Sequence, residues 1–163
     1  MTLATIFKAS ELRNKIFAEI MTTPNGTPFL LKDRAGGLAN YPHARKAGGL
    51  IFVSGISSRR ADNTWEGVTN NPDGTWTLDI KAQTRAVIQN IRVILQAAGA
   101  DLENLVDLTV FLVDMQNYSE FNEVYNEFFP VPEQGPSRTT VAVKQLPNPR
   151  LLIEIKATAL APQ

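Results

Sequence analysis

The sequence predicts an α+β domain in which two helices cover one face of a mixed β-sheet of four to six strands. Three observations carry this: one long segment with apolar residues at three-and-four spacing, a shorter segment of the same kind, and four β-branched runs. A chain of 163 residues provides one core, with no second core expected.

The first forty residues give the weakest signal. "SELRNKIFAEIM" (10–21) places Leu12, Ile16, Phe17 and Ile20 at helical spacing, and "PFLLKD" (28–33) reads as a short strand. "GLIFVSGI" (49–56) is the first strong strand. Between 56 and 79, the Pro-Asp-Gly of "NNPDGTW" is turn chemistry, so 65–69 and 75–79 are expected to form a hairpin or an irregular loop. The long helix spans 80–98. Ile80, Thr84, Val87, Ile88, Ile91, Ile94, Leu95 and Ala98 share one face, Asp79 is placed to cap the start and Gly99 to stop the end. "LVDLTVFLV" (105–113) is a strand, and "NYSEFNEVYNEFF" (117–129) is the second helix, closed by Pro130. The strands "RTTVAVKQL" (138–146) and "LLIEIKATAL" (151–160) complete the set.

Two helices cover only one face of such a sheet, yet "LIFVSGI" and "LTVFLV" carry apolar residues on both sides of their strands. A second copy of the same chain is the economical cover for the other face. A homo-oligomer is therefore expected, with a ligand site between subunits a natural consequence.

Sixteen basic and sixteen acidic residues give no net charge, which counts against RNA or an anionic membrane surface as partner. The absence of cysteine removes disulfides, thiolate nucleophiles and zinc–thiolate sites. No apolar run approaches a membrane span, and the first residues lack the layout of a signal peptide, so a cytoplasmic protein is expected. His43, the one histidine, has no spaced carboxylate cluster to make it a metal ligand and is read as a packed or surface residue, and Trp65 and Trp76 are read as packing residues of the loop.

Chemistry concentrates in "GPSRTTVAVKQLPNPRLLIEIKATAL" (135–160). Alternation sends Ile153, Ile155 and Ala157 to one face and Glu154, Lys156 and Thr158 to the other. A half-exposed strand with solvated charges would explain Glu154. Arg138, beside Gly135 and Pro136, opens the preceding strand where its fork can grip a carboxylate through two parallel hydrogen bonds.

This stretch, with "ANYPHARKAGGLIFVSGI", "AAGADLENLVDLTVFLVDM" and "FNEVYNEFF", resembles the RidA/YjgF family of reactive-intermediate deaminases from about Gly37 to the C-terminus. Residues 1–36 would then be an N-terminal extension packed on the core, and 37–163 the deaminase domain. The loop "RRADNTWEGVTNNPDGTWTLDIKAQTR" and "TVAVKQLPNPRLLIEIKA" look most like the 2-aminomuconate deaminase branch. The resemblance implies a chorismate-mutase-like fold in which three chains join their sheets into a trimeric barrel, alone or as a dimer of trimers, with an active site at each subunit boundary. It implies hydrolysis of an enamine or imine conjugated to a carboxylate, without metal or cofactor. For 2-aminomuconate the products would be 4-oxalocrotonate and ammonia.

By position, the resemblance makes Arg138 the carboxylate-binding arginine and Glu154 the glutamate that holds or activates water. Tyr41, Ser54, Gly55 and Asn122 become substrate-binding residues. Many relatives carry cysteine two residues after the arginine, where this chain has Thr140. A second substrate carboxylate would need a further cation. Arg45, Lys46, Arg59, Arg60, Lys144 and Arg150 are available, with Arg59 and Arg60 preferred for their place just past Ser54 and Gly55. The alternatives are a broad 2-imino-acid deaminase that clears reactive intermediates, and a non-enzymatic trimer whose clefts bind a small acid or a regulatory partner.

Overall fold

The computed structural model describes residues 22–162, so the helix expected over 10–21 lies outside the described residues. Helix α1 (Ile80–Ala97) forms where the spacing predicts it. The Asp79 carboxylate accepts a hydrogen bond from the Ala82 N–H at 3.0 Å, and Gly99, at φ +86°, lets the Ala100 N–H turn back to the Leu95 carbonyl. Its stripe of Val87, Ile88, Ile91, Ile94 and Leu95 is buried against the sheet. Each such side chain contributes roughly 1.5–3 kcal/mol relative to exposure. Helix α2 (Tyr118–Phe128) follows a short 3-10 turn whose Asp114 carboxylate accepts from the Gln116 N–H, and it buries Phe121, Val124 and Tyr125. Lys81 to Glu123 at 2.6 Å and Arg85 to Glu127 at 2.7 Å bridge the two helices. These exposed pairs add about 0–1 kcal/mol each.

Eight strands are present among the described residues: β1 (Thr27–Phe29), β2 (Ala44–Ala47), β3 (Leu50–Ile56), β4 (Val68–Asn70), β5 (Trp76–Leu78), β6 (Leu105–Leu112), β7 (Ser137–Ala142) and β8 (Ile153–Leu160). Six of them make one mixed sheet in the order β1, β2, β3, β8, β6, β7, antiparallel throughout except for the parallel β6–β7 pair. Strands β4 and β5 form the separate hairpin expected around the Pro-Asp-Gly turn. Strand β2 is an addition to the sequence reading. Gly48 and Gly49, both at positive φ, close a two-residue turn that folds "ARKA" back onto β3. Strand β7 stops at Ala142, short of the expected 146, and an irregular segment with Pro147 and Pro149 follows.

The expected alternation holds in β8, where Ile153, Ile155, Ala157 and Ala159 are buried under the helices. The opposite face stays uncovered within one chain. Phe52, Val141 and Leu160 are 43%, 39% and 55% exposed, the unshared apolar surface that the strand composition predicts.

A repeated motif organises the 57–78 loop. Asp62-Asn63-Thr64-Trp65 and Asp73-Gly74-Thr75-Trp76 build the same turn twice: each Asp carboxylate accepts from the Thr N–H and the Thr hydroxyl two residues on. Both tryptophans then stack on one guanidinium, that of Arg150, at 5.0 and 4.0 Å from the ring centroids. Arg150, a candidate for holding a second carboxylate, is occupied in fastening the loop instead.

Candidate active site

The site begins with an irregularity in β3. Val53 pairs with Ala157 but Ile56 pairs with Ile155, so one extra residue is inserted at Ser54–Gly55 and the strand bulges. Gly55 thereby comes against the side chain of Glu154. A Cβ at this position would overlap the Glu154 carboxylate, so glycine is what makes room for it. Ser54 is held by its own hydroxyl, which donates to the Pro42 carbonyl at 2.7 Å, and by its N–H, which donates to the His43 carbonyl.

Glu154 lies half-buried at the floor of a cleft of about 340 Å³. Among the described residues its carboxylate has no hydrogen-bond partner, and burial pushes its pKa above the ordinary carboxylate value. The walls come from four sources: the 34–38 segment with Tyr41, the loop residues Arg59 to Trp65, Asn90 and Ile94 of α1, and the Pro147–Leu151 segment. His43 belongs to the wall as a packed residue. Its Nδ1 accepts the Leu31 N–H at 3.2 Å, which leaves Nε2–H to donate to the Ala35 carbonyl at 3.1 Å. The histidine thus ties the 31–35 segment to the sheet.

Five of the seven residues singled out from sequence, Tyr41, Ser54, Gly55, Arg59 and Glu154, line this cleft. Arg59 also donates to the Gly36 carbonyl across it. The other two do not join them within one chain. Arg138 pairs in register with buried Leu108, which puts it on the helix-covered side of β7, whereas Glu154 faces the open side of β8. The Arg138 guanidinium sits 4.3 Å from the Tyr125 ring centroid and 5.1 Å from that of Phe121, with the Tyr118 hydroxyl at 3.4 Å. Burial raises the Tyr125 phenol, and the Arg138 charge opposes that rise. Asn122, half-buried on α2, follows Phe121 directly. Thr140 lies two residues along β7 from Arg138, its hydroxyl buried with no partner among the described residues. One chain therefore carries two half-sites: a cleft with the carboxyl group and an aromatic-backed arginine on a sheet edge.

Sequence reasoning missed Arg34, Asn90 and Asn148 in the wall and Gln83 behind it. Gln83 was legible, since it falls three residues after Ile80 and four before Val87 on the buried stripe. Among the described residues no cluster of three potential metal ligands occurs, and no helix is long and apolar enough to cross a membrane.

Residues 32–161 match the family model described as Endoribonuclease L-PSP. The chain belongs to this RidA/YjgF/RutC family. Curated members similar to it include a RutC family protein of Pyrococcus horikoshii, 41% identical over 73% of this chain and 85% of the relative. The 3-aminoacrylate deaminase RutC of Acinetobacter baylyi is 37% identical over 83% of this chain and 93% of the relative. Among solved structures, yeast Mmf1 superposes with a TM-score of 0.71 at 31% identity, covering 83% of this chain and 98% of its own. The six-stranded mixed sheet with two helices is thus the Rid-family fold.

Proposed function

We propose that this Rid-family chain is a cofactor-independent deaminase that hydrolyses a carboxylate-bearing enamine or imine to a 2-oxo acid and ammonia. The observation that carries the reading is Glu154: a carboxyl group in a cleft, held against a glycine bulge, with no internal partner and a raised pKa. Burial favours the protonated form more than in a free carboxyl group, and a carboxyl with no internal partner is available to give and take a proton at the substrate. The deaminase name of the Acinetobacter baylyi relative points the same way.

In this mechanism the protonated Glu154 delivers its proton to the enamine carbon, and the C2–N bond becomes an iminium. The resulting carboxylate takes a proton from water as the water oxygen bonds to C2. The carbinolamine then receives that proton on nitrogen and expels ammonia as the carbonyl forms, and its hydroxyl proton passes to the Glu154 carboxylate, which restores the protonated carboxyl group. An imine substrate enters after the first transfer. Arg138 binds the substrate carboxylate, and its charge stabilises electron density drawn toward that group. Because Arg138 and Glu154 occupy opposite faces of one sheet, this assignment puts the working site where the β7 edge of one subunit meets the cleft of another. The uncovered apolar face supports such an assembly, and a trimer is the form we propose. The balance of charges gives no support to RNA as the substrate.

Within that chemistry, 2-aminomuconate is the finer reading. The loop carrying Ser57, Arg59, Asn63 and Trp65 supplies part of the cleft wall. The test follows ammonia release from 2-aminoacrylate and from 2-aminomuconate, both generated in the cuvette, with wild type, Arg138→Ala and Glu154→Gln. Acceleration of either substrate that both substitutions lower by about 10²-fold or more supports the deaminase. Preference for the small imine assigns general clearance of reactive intermediates. No acceleration of either leaves a ligand-binding oligomer.

A further inference from the structure

Arginines are the costly residues to leave unpaired in a wall, and nearly all those near the cleft have work within the fold. Arg60 pairs with Glu66 at 2.7 Å, Arg85 with Glu127 at 2.7 Å, and Arg45 holds the Thr23–Gly26 turn. Arg150 is stacked between two tryptophans. Arg34 differs. It stands where the cleft opens into a second groove running along α1, and it lines both. Its Nε is buried without a hydrogen-bond partner among the described residues. Its other contacts are with its neighbour Asp33 alone: the backbone carbonyl at 3.4 Å and a carboxylate at 4.0 Å that is 74% exposed. The Nε itself is out of reach of a ligand, but the side chain is 37% exposed and its Nη groups, held only by these long contacts, are open to an acceptor from outside the chain.

We propose that Arg34 is the specificity-determining cation of the cleft, gripping a second, distal carboxylate, so that the site takes dicarboxylic substrates in preference to monocarboxylic ones. A carboxylate suits the exposed end of this guanidinium better than a neutral group, because its two oxygens can accept from the two Nη groups side by side. Arg59 at the same end adds a second positive charge, and no aspartate lines the cleft. Glu154 is the one acidic residue among those that line it. The inference rests on the deaminase reading for what the ligand undergoes, but not for what it must carry.

The matched probes are trans,trans-muconate and sorbate, stable six-carbon dienes that differ in whether the far end is a carboxylate or a methyl group. Equilibrium binding is measured by calorimetry on wild type, Arg34→Gln, Arg34→Lys and Arg60→Gln. A charge-assisted contact predicts about tenfold or more tighter binding of muconate than sorbate to wild type. Arg34→Gln collapses that ratio toward one, Arg34→Lys leaves it intermediate because the fork is lost, and Arg60→Gln keeps it. Equal affinities in wild type, no binding of either diene, or a ratio that survives Arg34→Gln in a protein with a wild-type melting curve each overturn the proposal. Because the readout is binding, an Arg34-dependent preference in a protein that deaminates nothing would defeat the deaminase reading and leave this inference standing.

Discussion

Gln83 offers the sharpest test of how the cleft is held. Its side chain is fully buried, its Nε2 donates to the Arg150 carbonyl at 2.7 Å, and its Oε1 accepts the Leu152 N–H at 2.8 Å. One amide therefore clamps both sides of Leu151, a residue of the cleft wall, to helix α1. Gln83→Met keeps length and apolar bulk while removing both bonds. Two orphaned backbone groups at about 1–3 kcal/mol each, discounted because both partners are only partly buried, amount to about 2–4 kcal/mol. With a urea slope near 2 kcal/mol/M, the unfolding midpoint should fall by about 1–2 M. Protein concentration must be fixed throughout, since any oligomer makes the midpoint concentration-dependent. Gln83→Glu adds a control: at acid pH the protonated carboxyl restores one donor and one acceptor, so its deficit should shrink as pH is lowered. A Gln83→Met midpoint within ~0.3 M of wild type would refute the reasoning, because it would mean solvent satisfies both groups at no cost.

Two further outcomes are expected. Gly55→Ala should leave the circular dichroism spectrum unchanged while displacing the Glu154 carboxylate, lowering deaminase turnover by about 10²-fold, as loss of a positioned proton donor does. Glu154→Gln should raise the melting temperature above neutral pH. The folded-state pKa is the raised one, so the stability this carboxyl contributes is present below its unfolded value and lost as pH climbs through the folded value. The melting curves of the two proteins should therefore converge at acid pH, and an advantage for Gln that grew on acidification would contradict the desolvation argument.

Much of this was legible because apolar period and punctuation agree. In 79–99 the stripe, the Asp79 cap and the Gly99 stop all name the same helix, and in 151–160 alternation separates the core residues from Glu154. The hairpin of β2 and β3 was missed although "AGGL" contains its turn, since "ARKA" has too little β-branched character to read as a strand. The grouping of Tyr41, Ser54, Gly55 and Glu154 came from family resemblance, and Arg59 from its place just past Ser54 and Gly55; spacing could not bring them together, because the bulge that joins them is a property of register. Arg34 escaped for a related reason. A weakly held arginine and a firmly paired one look identical in sequence, and only the location of their partners separates them.

The two Asp-x-Thr-Trp turns have an optical consequence. Both tryptophans of the chain rest on one guanidinium, and Trp65 is also part of the cleft wall. The protein's entire indole emission thus originates at the joint between the loop and the 147–151 segment. Ligand entry past Trp65, or undocking of the loop, is therefore readable in the unlabelled protein as a change in colour or intensity, with Arg150→Met supplying the spectrum of the open joint.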